Sequence, residues 1–221
     1  MSKSILIEGL PASGKTVSLR NLPPKETFWI NADGKFGAWK GFDKLYNKTN
    51  KNYIKTADTD QILGLMRVIN EQQKQIKYIV VDTINAAMVS REMKDKRNGF
   101  DKWSDIGQFG FDIVDAANNM RDDLVVILVG HTSVNDEGYE NLVVNGRKLE
   151  KIQLPAYISV VILARHEDDK YKYVLRGDGC SARVPFGYFD GIDEIDNDIM
   201  LVLQELEWVA NKSTAPAKKA E

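Results

Sequence analysis

Gly9-Leu10-Pro11-Ala12-Ser13-Gly14-Lys15-Thr16 is the stretch that decides how this chain is read. It fills every fixed position of the pattern GxxxxGK[ST] and follows an apolar run, Ser4-Ile5-Leu6-Ile7, that reads as a strand. Strand, glycine-bearing turn and helix, in that order, are the context in which a P-loop holds phosphate. The turn's main-chain N–H groups wrap the phosphates, Lys15 reaches the β/γ oxygens, and the Thr16 hydroxyl coordinates Mg²⁺. A helix expected over Lys15–Asn21 adds its positive dipole end to the same anion site. Gly9, Pro11, Ala12, Ser13, Gly14, Lys15, Thr16 and Val17 are therefore the expected nucleotide-binding set, and Lys15 also belongs to the catalytic one. The expected ligand is ATP with Mg²⁺.

Working outward, Tyr78-Ile79-Val80-Val81-Asp82-Thr83 is an apolar strand ending in an acid. At such a tip a carboxylate can hold the metal's hydration shell opposite Thr16, so Asp82 joins Thr16 as an expected metal-binding residue. Hydrolysis also needs a group that orients or deprotonates water. Thr27-Phe28-Trp29-Ile30-Asn31 runs into Ala32-Asp33-Gly34, placing Asp33 at a second strand tip. An Asp-Gly turn explains Asp33 equally well, and Glu8, just before the P-loop, competes for the role. Leu124–Gly130 ends in His131-Thr132, where a polar side chain would sit beside the γ-phosphate and report its presence.

Further apolar, β-branched runs at Ile158–Arg165 and Tyr171–Arg176 complete the expected strands. Helical patterns occupy Asp60–Gln73, Asn85–Arg97 and Asp105–Arg121; in the first, Ile62, Leu65, Met66 and Ile69 fall on one helical face. Near-continuous apolar strands such as Val125-Val126-Ile127-Leu128-Val129 imply burial on both sheet faces. Strands alternating with helices predict an α/β fold around a doubly wound, mostly parallel sheet, with the ligand at the carboxyl ends of its strands. The polar stretch His131–Ala156 breaks the rhythm. Asn145-Gly146, between Asn141–Val144 and Arg147–Leu149, reads as the turn of a projecting hairpin. Residues 1–210 are expected to form one domain, and 211–221, small and charged, a disordered tail.

The chain has 221 residues, enough for a single α/β domain with a sizeable core. With 30 basic and 32 acidic residues the net charge is −2, so nucleic acid could be held only by a local patch. Cys180 is the one cysteine, which excludes an internal disulfide and suits a reducing cytoplasm. The N-terminal residues lack the pattern of a signal peptide, and no apolar run approaches the roughly 20 residues that span a bilayer. The expectation is a cytoplasmic protein without membrane association.

Taken together, the Walker A stretch, Asn31-Ala32-Asp33, Val80-Val81-Asp82-Thr83, a helix carrying Trp103, and the strand leading to His131 resemble a known arrangement. It is that of the compact RecA-like P-loop ATPases encoded by phages for single-strand annealing and recombination, over about Lys3 to Phe189. The resemblance implies that Asp33 is the catalytic carboxylate and His131 the sensor, on a strand lying between the Walker A and Walker B strands. It further implies an oligomer, in which Arg183 would act as a finger on a neighbouring subunit's nucleotide, with Arg176 upstream on a strand. As a solvated loop residue Arg183 needs no such role. Two departures stand out. The family usually carries Glu where this chain has Asp33, which bears on the rate of hydrolysis rather than on binding. Its late Lys/Arg pair is reduced here to one arginine.

Single-stranded DNA is the implied partner. Arg147, Lys148 and Lys151, with Tyr139 as a stacking ring, are the expected contacts, although Asp136, Glu137, Glu140 and Glu150 share the stretch. Other readings are a small nucleotide kinase, a GTP-dependent switch, and an assembly module that holds ATP with little hydrolysis. No short segment carries the spaced arginines of a kinase lid. Asn47-Lys48-Thr49-Asn50 lacks the acid of a guanine-reading element.

Overall fold

A computed structural model of the chain describes residues 3–96, 100–144 and 153–209. Its centre is an eight-stranded sheet in the order β10-β9-β8-β1-β5-β4-β2-β3. These strands are β1 (Lys3–Glu8), β2 (Thr27–Asn31), β3 (Tyr53–Lys55), β4 (Tyr78–Asp82), β5 (Val125–Val129), β8 (Val160–Glu167), β9 (Lys170–Val174) and β10 (Glu194–Asp196). From β8 to β3 the strands run parallel, and β9, near one edge, is reversed, pairing antiparallel with both β8 and the edge strand β10.

Alternation along each strand divides the core. Leu6, Ile30, Ile79, Val81, Val126 and Leu128 face one side of the sheet. Ile5, Ile7, Trp29, Val80, Ile127 and Val129 face the other. Both sides are buried, which is why these strands carry so few polar residues. The helical cover is unequal. On the first side lie α2 (Thr59–Gln72), α3 (Ile84–Lys94) and α4 (Phe100–Asn118), packed on one another. Ile62, Met66 and Ile69 of α2 are fully buried, as their spacing predicts, and Asp58 caps that helix by accepting from Gln61 N–H at 3.0 Å. The second side is covered by α5 (Ile199–Glu205) and by short α1 (Phe42–Leu45), where Trp29, Trp39 and Phe42 pack edge to face and Tyr46 lies tilted against Trp29.

Two expectations need correction. The helix over Lys15–Asn21 is instead a single 3-10 turn, Val17–Leu19. Its bonds are of the i→i+3 kind: Leu19 N–H to Thr16 O, Arg20 N–H to Val17 O, Leu22 N–H to Leu19 O. In a 3-10 turn residues three apart eclipse, and here both Leu19 and Leu22 must enter the core. Pro23 then forces Leu22 out of helical geometry.

The described hairpin joins β6 (Thr132–Val134) to β7 (Glu140–Leu142). It turns at Asn135–Tyr139; the turn expected at Asn145-Gly146 lies outside the described residues. Asn135 Oδ1 accepts from Glu137 and Tyr139 N–H, and Gly138 adopts φ +81°, so this turn is sealed by its own side chain.

The second correction concerns the edges. β3 and β10 were not expected, and β9 returns antiparallel to β8 through Asp168 and Asp169, both at positive φ. A two-residue connection with that conformation matches the twist of a hairpin.

Candidate nucleotide site

Register brings the proposed groups together. Ile7 pairs with Val129, Val129 with Asp82, and Asp82 with Asn31. The residues just beyond these positions therefore meet at the carboxyl ends of β1, β5, β4 and β2. They surround a cavity of about 420 Å³ lined by Ala12 to Val17, Asp33, Lys35, Asp82 and His131, with Phe36 and Tyr171 at its sides. As the resemblance implies, β5 lies between β1 and β4.

The loop after β1 is built from main-chain conformations that the sequence makes accessible. Gly9 has φ +153°, and a Cβ there would come within 2.5 Å of the Ala164 carbonyl oxygen. Gly14 has φ +92°. Within the loop Lys15 is buried, and its Nζ donates to the Gly9 and Leu10 carbonyls at 2.7 Å each. Burial pulls its ammonium down to about 8, against the opposing pull of Asp82. Pro11 is exposed and lies outside the cavity lining, and Gly9 contributes its carbonyl rather than a wall.

Asp82 closes the floor. Burial, reinforced by Asp33, pushes its carboxyl up to about 6; the Thr16 hydroxyl and Lys15 act against the shift. Its Oδ1 is buried with no hydrogen-bond partner. Asp33 stands beside it because the Ala32 and Asp33 N–H groups both donate to the Asp82 carbonyl, at 2.7 and 3.3 Å. Asp33 pairs with Lys35 at 2.9 Å and accepts that residue's N–H at 3.0 Å. Asn31 holds the turn: its Oδ1 accepts Gly34 N–H and its Nδ2 donates to Lys35 O, both at 2.8 Å.

His131 lines the cavity with a buried Nδ1 that has no partner. Burial lowers its pKa, and Lys15 and Lys35 lower it further, so the imidazole is neutral at pH 7. Its main-chain N–H donates to Asn85 Oδ1 at 2.7 Å, and its carbonyl accepts Val143 N–H at 2.8 Å.

Glu8, the competing carboxylate, is fully buried away from this cavity and accepts a hydrogen bond from Ser181. Burial pushes it up to about 7. Arg183 is also elsewhere. Its guanidinium donates to the Pro155 and Ile158 carbonyls and lines a second cavity of about 240 Å³. Arg176 is held similarly by the Phe189, Ile192 and Tyr188 carbonyls. Arg147, Lys148 and Lys151 lie outside the described residues.

Sequence reasoning missed Asn31, Lys35, Asn85 and Tyr171. The signal for Asn31 and Asn85 was a polar residue at or just past a strand end in an otherwise apolar segment. Tyr171, on an edge hairpin, gave none. Compared with known proteins, the chain matches no family model and no curated protein.

Proposed function

We propose that this chain is a RecA-like P-loop ATPase that binds ATP with Mg²⁺, hydrolyses it, and acts as an oligomer on single-stranded DNA in phage-type annealing or strand pairing. The observation that carries the nucleotide reading is the convergence of Lys15, Thr16, Asp33, Asp82 and His131 on one cavity at the strand ends. In this reading the N–H groups of the Gly14–Thr16 turn and the Lys15 ammonium take the β- and γ-phosphates. Lys15 exchanges two loop carbonyls for phosphate oxygens.

The metal fits the residues present. Among the described residues there is no cluster of three or more His, Cys, Asp or Glu side chains. Mg²⁺, however, is commonly held by one or two protein oxygens plus phosphate and water. The orphaned Asp82 Oδ1 beside the Thr16 hydroxyl supplies that pair. When bound, the ion offsets charge on the phosphates.

Asp33 takes a proton from the water that attacks the γ-phosphorus, and His131 presents an unpaired ring nitrogen on the same cavity. Lys35 already occupies the Asp33 carboxylate, which favours a second reading: an ATP-held assembly module that turns over slowly. DNA binding and the phage context rest on the resemblance alone.

Steady-state ATP hydrolysis with and without single-stranded DNA tests the proposal. Stimulation by DNA supports it. Tight ATP binding without turnover favours the assembly reading, and absence of ATP binding defeats both.

A further inference from the structure

Arg183, expected as a finger, and Arg176 upstream of it both donate to main-chain carbonyls and line no part of the nucleotide cavity. Among the described residues the cavity wall carries two ammonium groups instead, those of Lys15 and Lys35. Lys15 belongs to the P-loop. Lys35 has no role in it.

The main chain of Lys35 is fixed while its side chain is free to move. Its carbonyl accepts from Asn31 Nδ2 at 2.8 Å, and its N–H donates to Asp33 Oδ1 at 3.0 Å. Gly34, at φ +71°, makes the turn between them, and the Lys55 side chain packs over it, Cε lying 2.6 Å from where a Cβ would stand. Beyond the turn, Trp39 and Phe42 pack on Trp29 and hold the chain that follows. The Lys35 side chain itself is 71% exposed, with its ammonium 2.9 Å from Asp33 Oδ2. An exposed pair of this kind adds little stability and is easily exchanged. Burial is the main cause of the pKa shifts at Lys15, Asp82 and His131, and the Lys35 charge bears on all three. Its ammonium thus lies in the field of every group expected around a γ-phosphate. In a partly enclosed cavity, where charges attract more strongly than in water, such a phosphate competes well for it.

We propose that Lys35 is a latch on Asp33 that the γ-phosphate opens: on ATP binding its ammonium leaves the Asp33 carboxylate for the γ-phosphate oxygens. One movement then frees the base and supplies, within the same chain, the cation expected of a finger. The latch rests on the reading of this cavity as an ATP site. Once open, Asp33 takes a proton from water as the water oxygen bonds to the γ-phosphorus. The bond from that phosphorus to the β–γ bridging oxygen breaks, its electron pair leaves on ADP, and Lys35 offsets the charge on the γ-oxygens. ADP offers no γ-phosphate, so Lys35 returns to Asp33 and the base is occupied again.

Calorimetric titration of the full chain with a non-hydrolysable ATP analogue and with ADP tests this, together with steady-state hydrolysis. Lys35→Ala should weaken the analogue by about 10- to 100-fold, the scale of a hydrogen bond to a charged group, and leave ADP affinity unchanged. Its kcat should fall by about 10²-fold, as for loss of one donor to a developing oxyanion. Lys35→Arg keeps the charge and should restore most of the analogue's affinity. The ¹⁵Nζ resonance of Lys35, assigned by its loss in Lys35→Arg, should shift with the analogue and not with ADP. In Asp33→Asn it should already be displaced without nucleotide, because its carboxylate partner is gone. Equal loss of analogue and ADP binding in Lys35→Ala overturns the latch, as does no loss of either or a resonance that both nucleotides shift alike. Absence of binding of both nucleotides to wild type is a different result: it defeats the ATP reading, and the latch with it.

Discussion

The Asn85 side chain accepts the main-chain N–H of His131 at 2.7 Å while its own Nδ2 donates to the Val143 carbonyl at 2.6 Å. One amide on α3 thus ties the residue at the cavity wall to the strand segment that leaves the hairpin, and Val143 N–H closes the link on the His131 carbonyl. Asn85→Ala leaves two part-buried main-chain groups, the His131 N–H and the Val143 carbonyl, without this partner. It should destabilise the protein by about 1–3 kcal/mol for an unsatisfied group, read from denaturant unfolding. It should also weaken any effect of nucleotide on the segment beyond Val143, which hydrogen exchange would register. A variant as stable as wild type would show that water replaces the amide and that the link is not structural.

Nucleotide affinity should depend on pH through Lys15. Burial holds its pKa near 8 in the free protein, and phosphate binding raises it by pairing the ammonium. Binding then requires proton uptake at pH values above about 8. Affinity should be flat below that point and fall by about tenfold per pH unit above it, the slope of one linked proton. Lys15→Ala should lose binding at all pH values. A flat profile from pH 7 to 10 would mean that Lys15 does not meet phosphate.

The parallel core was legible because its strands are apolar on both faces; β2 and β4 run over the same residues that the pattern marks. Edge strands were not, since Tyr53–Lys55 and Glu194–Asp196 are short and partly exposed, and no periodicity separates them from loops. The tips carrying Asp33, Asp82 and His131 could be named from the sequence because strand ends converge in such a sheet. Their partners could not. Lys35 meets Asp33 only through the turn that Asn31 holds, and Tyr171 reaches Gly14 across an antiparallel edge. A helical segment after the P-loop was expected over Lys15–Asn21, but not that i→i+3 bonding would confine it to a single 3-10 turn.

Two carboxylates competed for the catalytic role, and the structure separates their positions. Asp33 borders the cavity, whereas Glu8 lies buried against Ser181. Asp33→Asn should retain ATP binding and lower turnover by ~10²–10⁴-fold, the usual scale of a general base. Glu8→Gln should turn over within a few-fold of wild type. The reverse pattern in single-turnover assays would assign the chemistry to Glu8.

Glu8 also predicts a stability profile. Its folded pKa of about 7, raised by burial and then by Glu140, exceeds the ordinary value of 4.5. Between those two pH values the folded state holds more protons than the unfolded one, so its contribution to stability falls as pH rises through the window. Above about pH 7 the full cost of the buried charge is present, a few kcal/mol at most for a shift of this size. Glu8→Gln should therefore raise the melting temperature at pH 8 and leave it nearly unchanged at pH 4.5. Equal effects at both pH values would point to packing rather than charge.

DNA binding is the most demanding prediction, because the chain is net −2 and only a local patch can carry it. Within the described hairpin the charged residues are Asp136, Glu137 and Glu140, all acidic. Any positive field must come from Arg147, Lys148 and Lys151 beyond it. In an oligomer each subunit contributes one weak loop, and linked weak sites gain through effective concentration. Anisotropy of a labelled single-stranded oligonucleotide should show affinity that rises with an ATP analogue and falls with salt, with a slope near −0.7 per phosphate contact. Replacing Arg147, Lys148 and Lys151 together by Ala should flatten that slope by about two units while ATP binding stays intact. Absence of binding at low salt with nucleotide present would defeat the recombination reading. It would leave the cavity at the strand ends serving a different partner.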